Sequence, residues 1–382
     1  MGKFKRTLFR ATRVTALIAS VSLAVQFYLT RWHQAAPLLS VFDHEMDGVE
    51  QHNGTLWEVL LSKPRLSRCA AIVGDFPQLV APLNTPNLSL TVFAPTDEAF
   101  AREFFHWDSP WFFYIMLASY HIAPGELSRE ALQRKGTVGT VLNADIFWLF
   151  KQRISTQRVE SSVMLNYLST ILGPEQAAVN GRLHYVDRVL TLPESTSHVL
   201  RSSPEFRTFC KGLTVSEVAV VVNDTSTHVG QTVFAPTNAA FKKLGHQVNR
   251  FLFGPGGEAY LKALMEYHVV ANHTLFSDVY FHHTQKQQID LTETDVTWLP
   301  TLAPGGFNLS VTIEKHDSQP AIRINNAVTA SRPDIVVMDG VIHAVETVLI
   351  PPGRQEALDG QPGTMWDGTV DSLVARLQPL IE

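Results

Sequence analysis

The sequence predicts two tandem copies of one domain that mixes helices with strands, behind a short basic and apolar leader. Three observations carry this. The decapeptide at residues 91–100, TVFAPTDEAF, returns as TVFAPTNAAF at 232–241, with eight of ten positions identical at an offset of 141 residues. Cys69 and Cys210 stand at the same offset of 141, so the repeat runs upstream without a gap. Downstream, Tyr120-His121 returns as Tyr267-His268, and NGRLHYVDRVLTLP (180–193) returns as DGVIHAVETVLIPP (339–352). A period of about 150 residues is too long for a solenoid unit and marks a duplicated domain.

Composition bounds the rest. With 45% hydrophobic and 18% charged residues the chain is globular, not disordered. A net charge of -5 excludes a broadly basic nucleic-acid footprint. Two cysteines are too few for a disulfide scaffold or a four-Cys zinc site.

The leader reads as an address. The first acidic residue is Asp43, and Lys3, Lys5, Arg6, Arg10, Arg13 and Arg31 precede it. Residues 14–30, VTALIASVSLAVQFYLT, carry no charge. That is short for a bilayer span, which takes about 20 helical residues. Bulky Phe27, Tyr28, Leu29, Thr30 and Arg31 stand where small residues would mark cleavage. An uncleaved signal anchor is therefore expected ahead of a signal peptide cut near Ala35 or Ala36. The Lys/Arg excess before the segment puts residues 1–13 in the cytosol and the remainder in a lumen or outside the cell. A mitochondrial presequence is the rival reading, since the leader is Arg-rich and acid-poor. Five sequons argue against it, and make Asn53, Asn87, Asn223, Asn272 and Asn308 candidate glycosylation sites.

The expected organisation is a basic n-region (1–13), signal anchor (14–30), linker (31–54), domain one (55–193), domain two (204–352), and a Gly/Pro linker with a short tail helix (353–382). Within each copy, apolar helical stretches come first, at 56–61 and 70–80 and at 206–222. A short strand follows (90–93, 231–234), broken by Ala-Pro-Thr, after which Thr96 or Thr237 caps a helix. A second apolar helix leads into Tyr-His. Alternating strands (311–313, 321–324) and a Gly turn into the strand VIHAVETVLI close the copy. Copy two has 75 residues between its Tyr-His and its closing His, against 63 in copy one, which predicts an extra loop around 281–308. In the tail, Val370, Leu373, Val374, Leu377 and Leu380 recur at helical spacing, a face suited to docking on copy two.

The pattern T-V-F-A-P-T-[DN]-x-A-F, the central Tyr-His and the closing [ND]-G-x-[IL]-H motif resemble the conserved segments of fasciclin domains, in order and twice. The resemblance covers about 55–193 and 204–352. It implies an α+β fold per copy, a wedge of mainly antiparallel strands with several helices. It also implies a role in adhesion and protein or matrix contact, in membrane-anchored or secreted proteins. The motif residues it makes structural are Phe93, Pro95, Thr96, Phe100 and His184, and Phe234, Pro236, Thr237, Phe241 and His343. It makes Tyr120, His121, Tyr267 and His268 a candidate contact motif. The physical alternative for these four is core packing with hydrogen bonds to the backbone, as expected where a helix meets a loop.

Other constellations are ordinary. Fifteen histidines show no H-E-x-x-H spacing, and the adjacent His282-His283 would point to opposite faces of a strand. No metal and no cofactor are expected. No nucleophile elbow, P-loop or dinucleotide fingerprint is present. The cysteines occupy equivalent positions in two domains and read as buried free thiols, not as a bridge. The apolar run WFFYIMLASY (111–120) is too short to span a membrane and reads as a core helix. The sequence thus points to a non-catalytic lumenal or extracellular glycoprotein that binds other proteins or matrix and wall glycans, in adhesion or protein organisation at a membrane, wall or vacuole. Two alternatives stand beside it. One is an accessory to secreted or lumenal biosynthetic enzymes, for example in an oxidative secondary-metabolite or pigment pathway. The other is an enzyme using the inter-domain cleft.

Overall fold

The computed structural model describes residues 48–103, 109–142, 152–224, 226, 228–293, 295–316, 319–352 and 366–381. The leader at 1–30, the linker up to residue 47 and the Gly/Pro-rich stretch 353–365 lie outside them. Among the described residues, no helix is long and apolar enough to cross a membrane.

Copy one contributes β1 (Val49–Gln51), β2 (Leu90–Pro95), β3 (Ile122–Pro124), β4 (Thr137–Gly139), β5 (Arg153–Val159), β6 (Ser162–Leu165), β7 (Ser169–Ala178) and β8 (Gly181–Val186). Copy two contributes β9 (Gln231–Pro236), β10 (Val269–Ala271), β11 (His273–Leu275), β12 (Val279–His282), β13 (Gln287–Asp290), β14 (Val296–Pro300), β15 (Asn308–His316), β16 (Gln319–Ile324), β17 (Val328–Val337) and β18 (Gly340–Val345). The sheet orders match: β3-β2-β8-β7-β6-β5-β4, with β1 beside β7, and β10-β9-β18-β17-β16-β15-β14. Pairing is antiparallel except for β1–β7, β2–β8 and β9–β18. Each sheet curls until its edges meet. Val141 N–H donates to Ile122 O at 2.8 Å in one copy, and Leu302 N–H to Val269 O at 2.9 Å in the other.

The curl explains why the motif strands β2 and β9 are buried along their whole length. One face of β2 packs under the helices, with Val92, Ala94 and Leu183 against Leu60, Leu66, Val73 and Leu117. The other points into the curl, where Phe93 joins Tyr120, Ile154, Ile171 and Val186. Copy two repeats both layers. A strand buried on both faces loses the alternation of a half-exposed one. The glycine of the closing motif has a steric cause. A Cβ on Gly181 would lie 1.8 Å from Leu90 O, and one on Gly340 would lie 2.1 Å from Gln231 O.

Thr96 and Thr237 cap the next helices, accepting the Ala99 N–H at 3.2 Å and the Ala240 N–H at 3.3 Å. The tail helix, Val370–Leu377, buries Leu373 and Leu377 in the helical layer of copy two.

Several element boundaries differ from expectation. The motif strands run on through Pro95 and Pro236, whose parallel partners are Val186 and Val345. A proline at the last strand position gives up no needed donor. The stretch 70–80 divides into Ser67–Gly74 and Pro77–Leu83, because a residue before proline disfavours helical geometry and Phe76 is extended. The stretch 206–222 breaks at Glu217, which has φ +65°. The closing strand stops at Val345. The extra segment expected as a loop also holds strands, with β13 extending a three-stranded sheet β11-β12-β13 and β14 forming an edge beside β15. Residues from Asp47 onward form one compact unit that holds both copies.

Candidate functional site

The Tyr-His pairs end the helices Trp111–Tyr120 and Glu258–Tyr267. All four side chains are buried, at 0 to 5% exposure, so they present nothing to a partner. His268 Nδ1–H donates to Leu264 O at 2.7 Å, and its Nε2 accepts the Leu349 N–H at 2.9 Å. His121 repeats this with Leu117 O at 2.8 Å and Leu190 N at 3.0 Å. Tyr120 Oη donates to Arg153 O at 2.8 Å and accepts Asn166 Nδ2 at 2.9 Å, while Tyr267 Oη accepts Asn325 Nδ2 at 2.9 Å. Each ring thus ties helix, loop and strand into one core. Burial holds His121 and His268 neutral, pushing both down to about 4. Of the two readings open for these four residues, this burial and bonding fit core packing.

The closing-motif histidines hold equivalent carbonyls. His184 Nε2 is 2.8 Å from Leu127 O, and His343 Nε2 is 2.7 Å from Leu275 O. Each is fully buried beside the motif phenylalanine of the parallel strand, His184 stacked on Phe93 and His343 tilted against Phe234. Phe100 and Phe241 fill the helical cores. Cys69 is buried, but Cys210 is only half-buried, with its Sγ 3.0 Å from Leu200 O. Burial pushes the Cys69 thiol up to about 12 and the Cys210 thiol up to about 11.

A constellation of charged and polar side chains lies where the copies meet, and no motif announced it. Arg153 of β5 reaches Asp278 of copy two at 3.3 Å. Thr137 of β4 donates its hydroxyl and its N–H to the same carboxylate. Arg153 also lies over the Phe276 ring, 5.5 Å from its centre. Gly136 passes so close that a Cβ there would meet Ser277 Oγ at 1.8 Å. Beneath them is Asp334, in the bulge of β17 and only 2% exposed. It accepts the Ser277 N–H at 2.9 Å and bonds the Ser277 hydroxyl. Burial pushes the Asp334 carboxyl up to about 7, and the nearby Asp278 charge adds to this. Further along, Gln152 Nε2 donates to Met338 O at 3.0 Å, Arg158 N to Gln319 Oε1 at 3.0 Å, and the Tyr167 hydroxyl to Pro333 O. A perturbed acid is a feature of many active sites. Here it lies beneath the junction at 2% exposure.

Two small depressions flank Cys69 and Cys210 and have room for little more than a water. Among the described residues, no three His, Cys, Asp or Glu side chains converge to hold a metal. Four sequon asparagines, Asn53, Asn87, Asn223 and Asn308, are exposed. Asn272 is half-buried and its Oδ1 accepts the Val229 N–H at 3.0 Å.

The fasciclin domain family model matches residues 64–193 and 204–351. Aurofusarin biosynthesis cluster protein S of Gibberella zeae is 36% identical to the chain, across 100% of it and 97% of that protein. Periostin of Homo sapiens is 26% identical over 54% of the chain, which spans 22% of periostin. A fasciclin-like arabinogalactan protein of Arthroderma benhamiae is 28% identical over 49% of the chain and 37% of its own length. Among solved structures, a FAS1 domain pair from the insect cell adhesion molecule fasciclin I matches 75% of the chain and 97% of its own, at 20% identity and a TM-score of 0.39.

Proposed function

The chain belongs to the fasciclin family, and from that premise we propose that it is a non-catalytic binding protein of the secretory pathway that organises other proteins. Its domain limits follow the duplicated motifs, 55–193 and 204–352. Residues 14–30 hold it to a membrane with the two copies on the lumenal or extracellular side. The exposed sequons carry its glycans. The partners are enzymes of a biosynthetic pathway, for which the protein acts as an accessory. The observation that supports this over general adhesion is the likeness to a protein named for the aurofusarin biosynthesis cluster, which extends over the whole chain. The periostin and arabinogalactan-protein matches cover half the chain or little more and support protein or matrix contact in general.

The test is recovery of the tagged full chain, after crosslinking in its native cells, from detergent extract and from medium. Biosynthetic enzymes enriched over a tagged, unrelated membrane glycoprotein support the accessory reading. Wall glycan or cell-surface proteins in their place favour adhesion. Recovery of the tagged chain in the detergent-free soluble fraction of the cells would overturn the membrane assignment.

A further inference from the structure

Ser155 and Ser310 occupy the same place in the two copies. Each donates its backbone N–H to an asparagine side chain, Asn166 at 2.9 Å or Asn325 at 3.1 Å, and accepts that asparagine's own N–H. Register then aligns their neighbours. Thr137 stands opposite Ser155 as Trp298 stands opposite Ser310. Arg153 stands opposite Gly139 as Asn308 stands opposite Pro300. Thr137 and Arg153 are the residues by which copy one grips Asp278. At the equivalent points of copy two the chain carries a tryptophan and a sequon asparagine.

The same face is therefore buried in copy one and open in copy two. Thr137 is 1% exposed, but Trp298 is 61% exposed and Val296 is 53% exposed. Leu299 and Leu309 between them point to the core at 0%, so Trp298, Asn308 and Ser310 share the outer face. Asn308 is a diagonal cross-strand neighbour of Trp298, a separation of about 7–8 Å that a long side chain or one sugar ring bridges. Without Arg153 or Thr137 equivalents, this face cannot repeat the grip on an Asp278-type carboxylate in another molecule.

We propose that Asn308 carries an N-linked glycan whose first N-acetylglucosamine packs on the Trp298 ring, capping in copy two the face that copy one uses to dock. The sugar comes from a polyprenyl-diphosphate-linked oligosaccharide. The Asn308 Nδ2–C1 bond forms, the C1–O bond to the diphosphate breaks, and the amide loses one proton as the diphosphate leaves. The proposal rests on the secretory reading above.

The test uses the full chain expressed through a eukaryotic secretory host. Peptide mass spectrometry is expected to find hexosamine on Asn308. Oxidative footprinting is expected to label Trp298 several-fold more after a glycopeptidase removes the sugar. Asn308→Gln, and independently Ser310→Ala, should self-associate with rising concentration, and adding Trp298→Thr should restore the monomer. An unmodified Asn308 in protein glycosylated at Asn53 or Asn87 overturns this proposal and leaves the secretory reading standing. No sugar at any sequon overturns both. Equal labelling of Trp298 with and without the sugar overturns the packing.

Discussion

Glu175 and Asp334 occupy the same bulge in the two copies, in the strand that pairs with the closing strand, and their charges are met differently. Each accepts a backbone N–H from the segment two residues past the carbonyl held by the closing histidine, Arg129 N for Glu175 and Ser277 N for Asp334. Glu175 is also bonded by Arg182 at 2.6 Å. At the matching position copy two has Val341, so Asp334 keeps only the hydroxyl and N–H of Ser277 and the more distant Arg153.

Asp334 therefore makes stability depend on pH. Its folded-state value, about 7, lies above the ordinary 3.8. Its contribution is fully present below 3.8 and is lost as pH rises through 7. Asp334→Asn preserves the shape and both Ser277 contacts. The stability of the wild type relative to this variant is expected to fall between pH 5 and pH 8, by on the order of 2 kcal/mol. Denaturant midpoints at the two pH values measure it, and a pH-independent difference would refute it.

The buried histidines act in the opposite direction. His121, His184, His268 and His343 are each pushed down to about 4 by burial. Stability from a depressed histidine is present above its ordinary value of 6.5 and is lost as pH falls from there through 4. His268→Ala should cost about 2–4 kcal/mol, because the Leu349 N–H and Leu264 carbonyl lose their partner in a dry core. It should also make acid unfolding shallower by about one proton. Acid titration of both proteins by circular dichroism gives both numbers.

Gly136→Ala tests the junction sterically. The added methyl meets Ser277 Oγ and Asp334 Oδ2, at 1.8 and 2.9 Å. Asp278→Ala tests it electrostatically, leaving Arg153 and the Thr137 hydroxyl without their acceptor at about 2 kcal/mol. In both variants the copies should melt in two resolved calorimetric steps. A single unshifted transition would show that the junction contributes nothing.

The tail helix is part of copy two. Leu373 and Leu377 are 0% exposed among Leu261, Leu264 and Leu252. Either Leu→Ala change should destabilise copy two by about 2–5 kcal/mol through the cavity it leaves. Hydrogen exchange should then accelerate in Glu258–Tyr267, the helix beneath, and stay unchanged in copy one.

Asn272 should stay unmodified in secreted protein. It adopts φ +63°, its side chain holds Val229, and Thr274 of its sequon is fully buried with its hydroxyl 2.9 Å from His283 Nε2. A glycan found there by peptide mapping would contradict this placement.

Much of the fold was legible because its anchors are local. The Thr96 and Thr237 caps, the apolar motif strands and the 3.6-residue rhythm of the tail all follow from neighbours in sequence. The buried fate of Tyr120 and His121 was one of two open readings, since a polar-tipped aromatic at a helix end suits either. The junction was not legible. Arg153, Asp278 and Asp334 are single charges in unremarkable segments, brought together by a docking that involves residues 125 apart in sequence for the ion pair alone. Aligning the copies by register shows Arg153 at the place Asn308 holds in copy two, but that alignment needs the strands. The extra segment misread as loop shows the same limit. Gln287–Asp290 is exposed throughout and has no apolar alternation to betray a strand.

The parallel pairing of first and last motif strands has a consequence for synthesis. Val92 waits for Leu183, and Val233 for Ile342. Until the closing strand leaves the ribosome, a segment that ends up buried on both faces has an open edge and no cover. Contacts so distant along the chain form slowly and expose aggregation-prone surface meanwhile. Each copy is thus most vulnerable during its own translation. Phe93 and Phe234 stand in the segments that chaperones would be expected to hold.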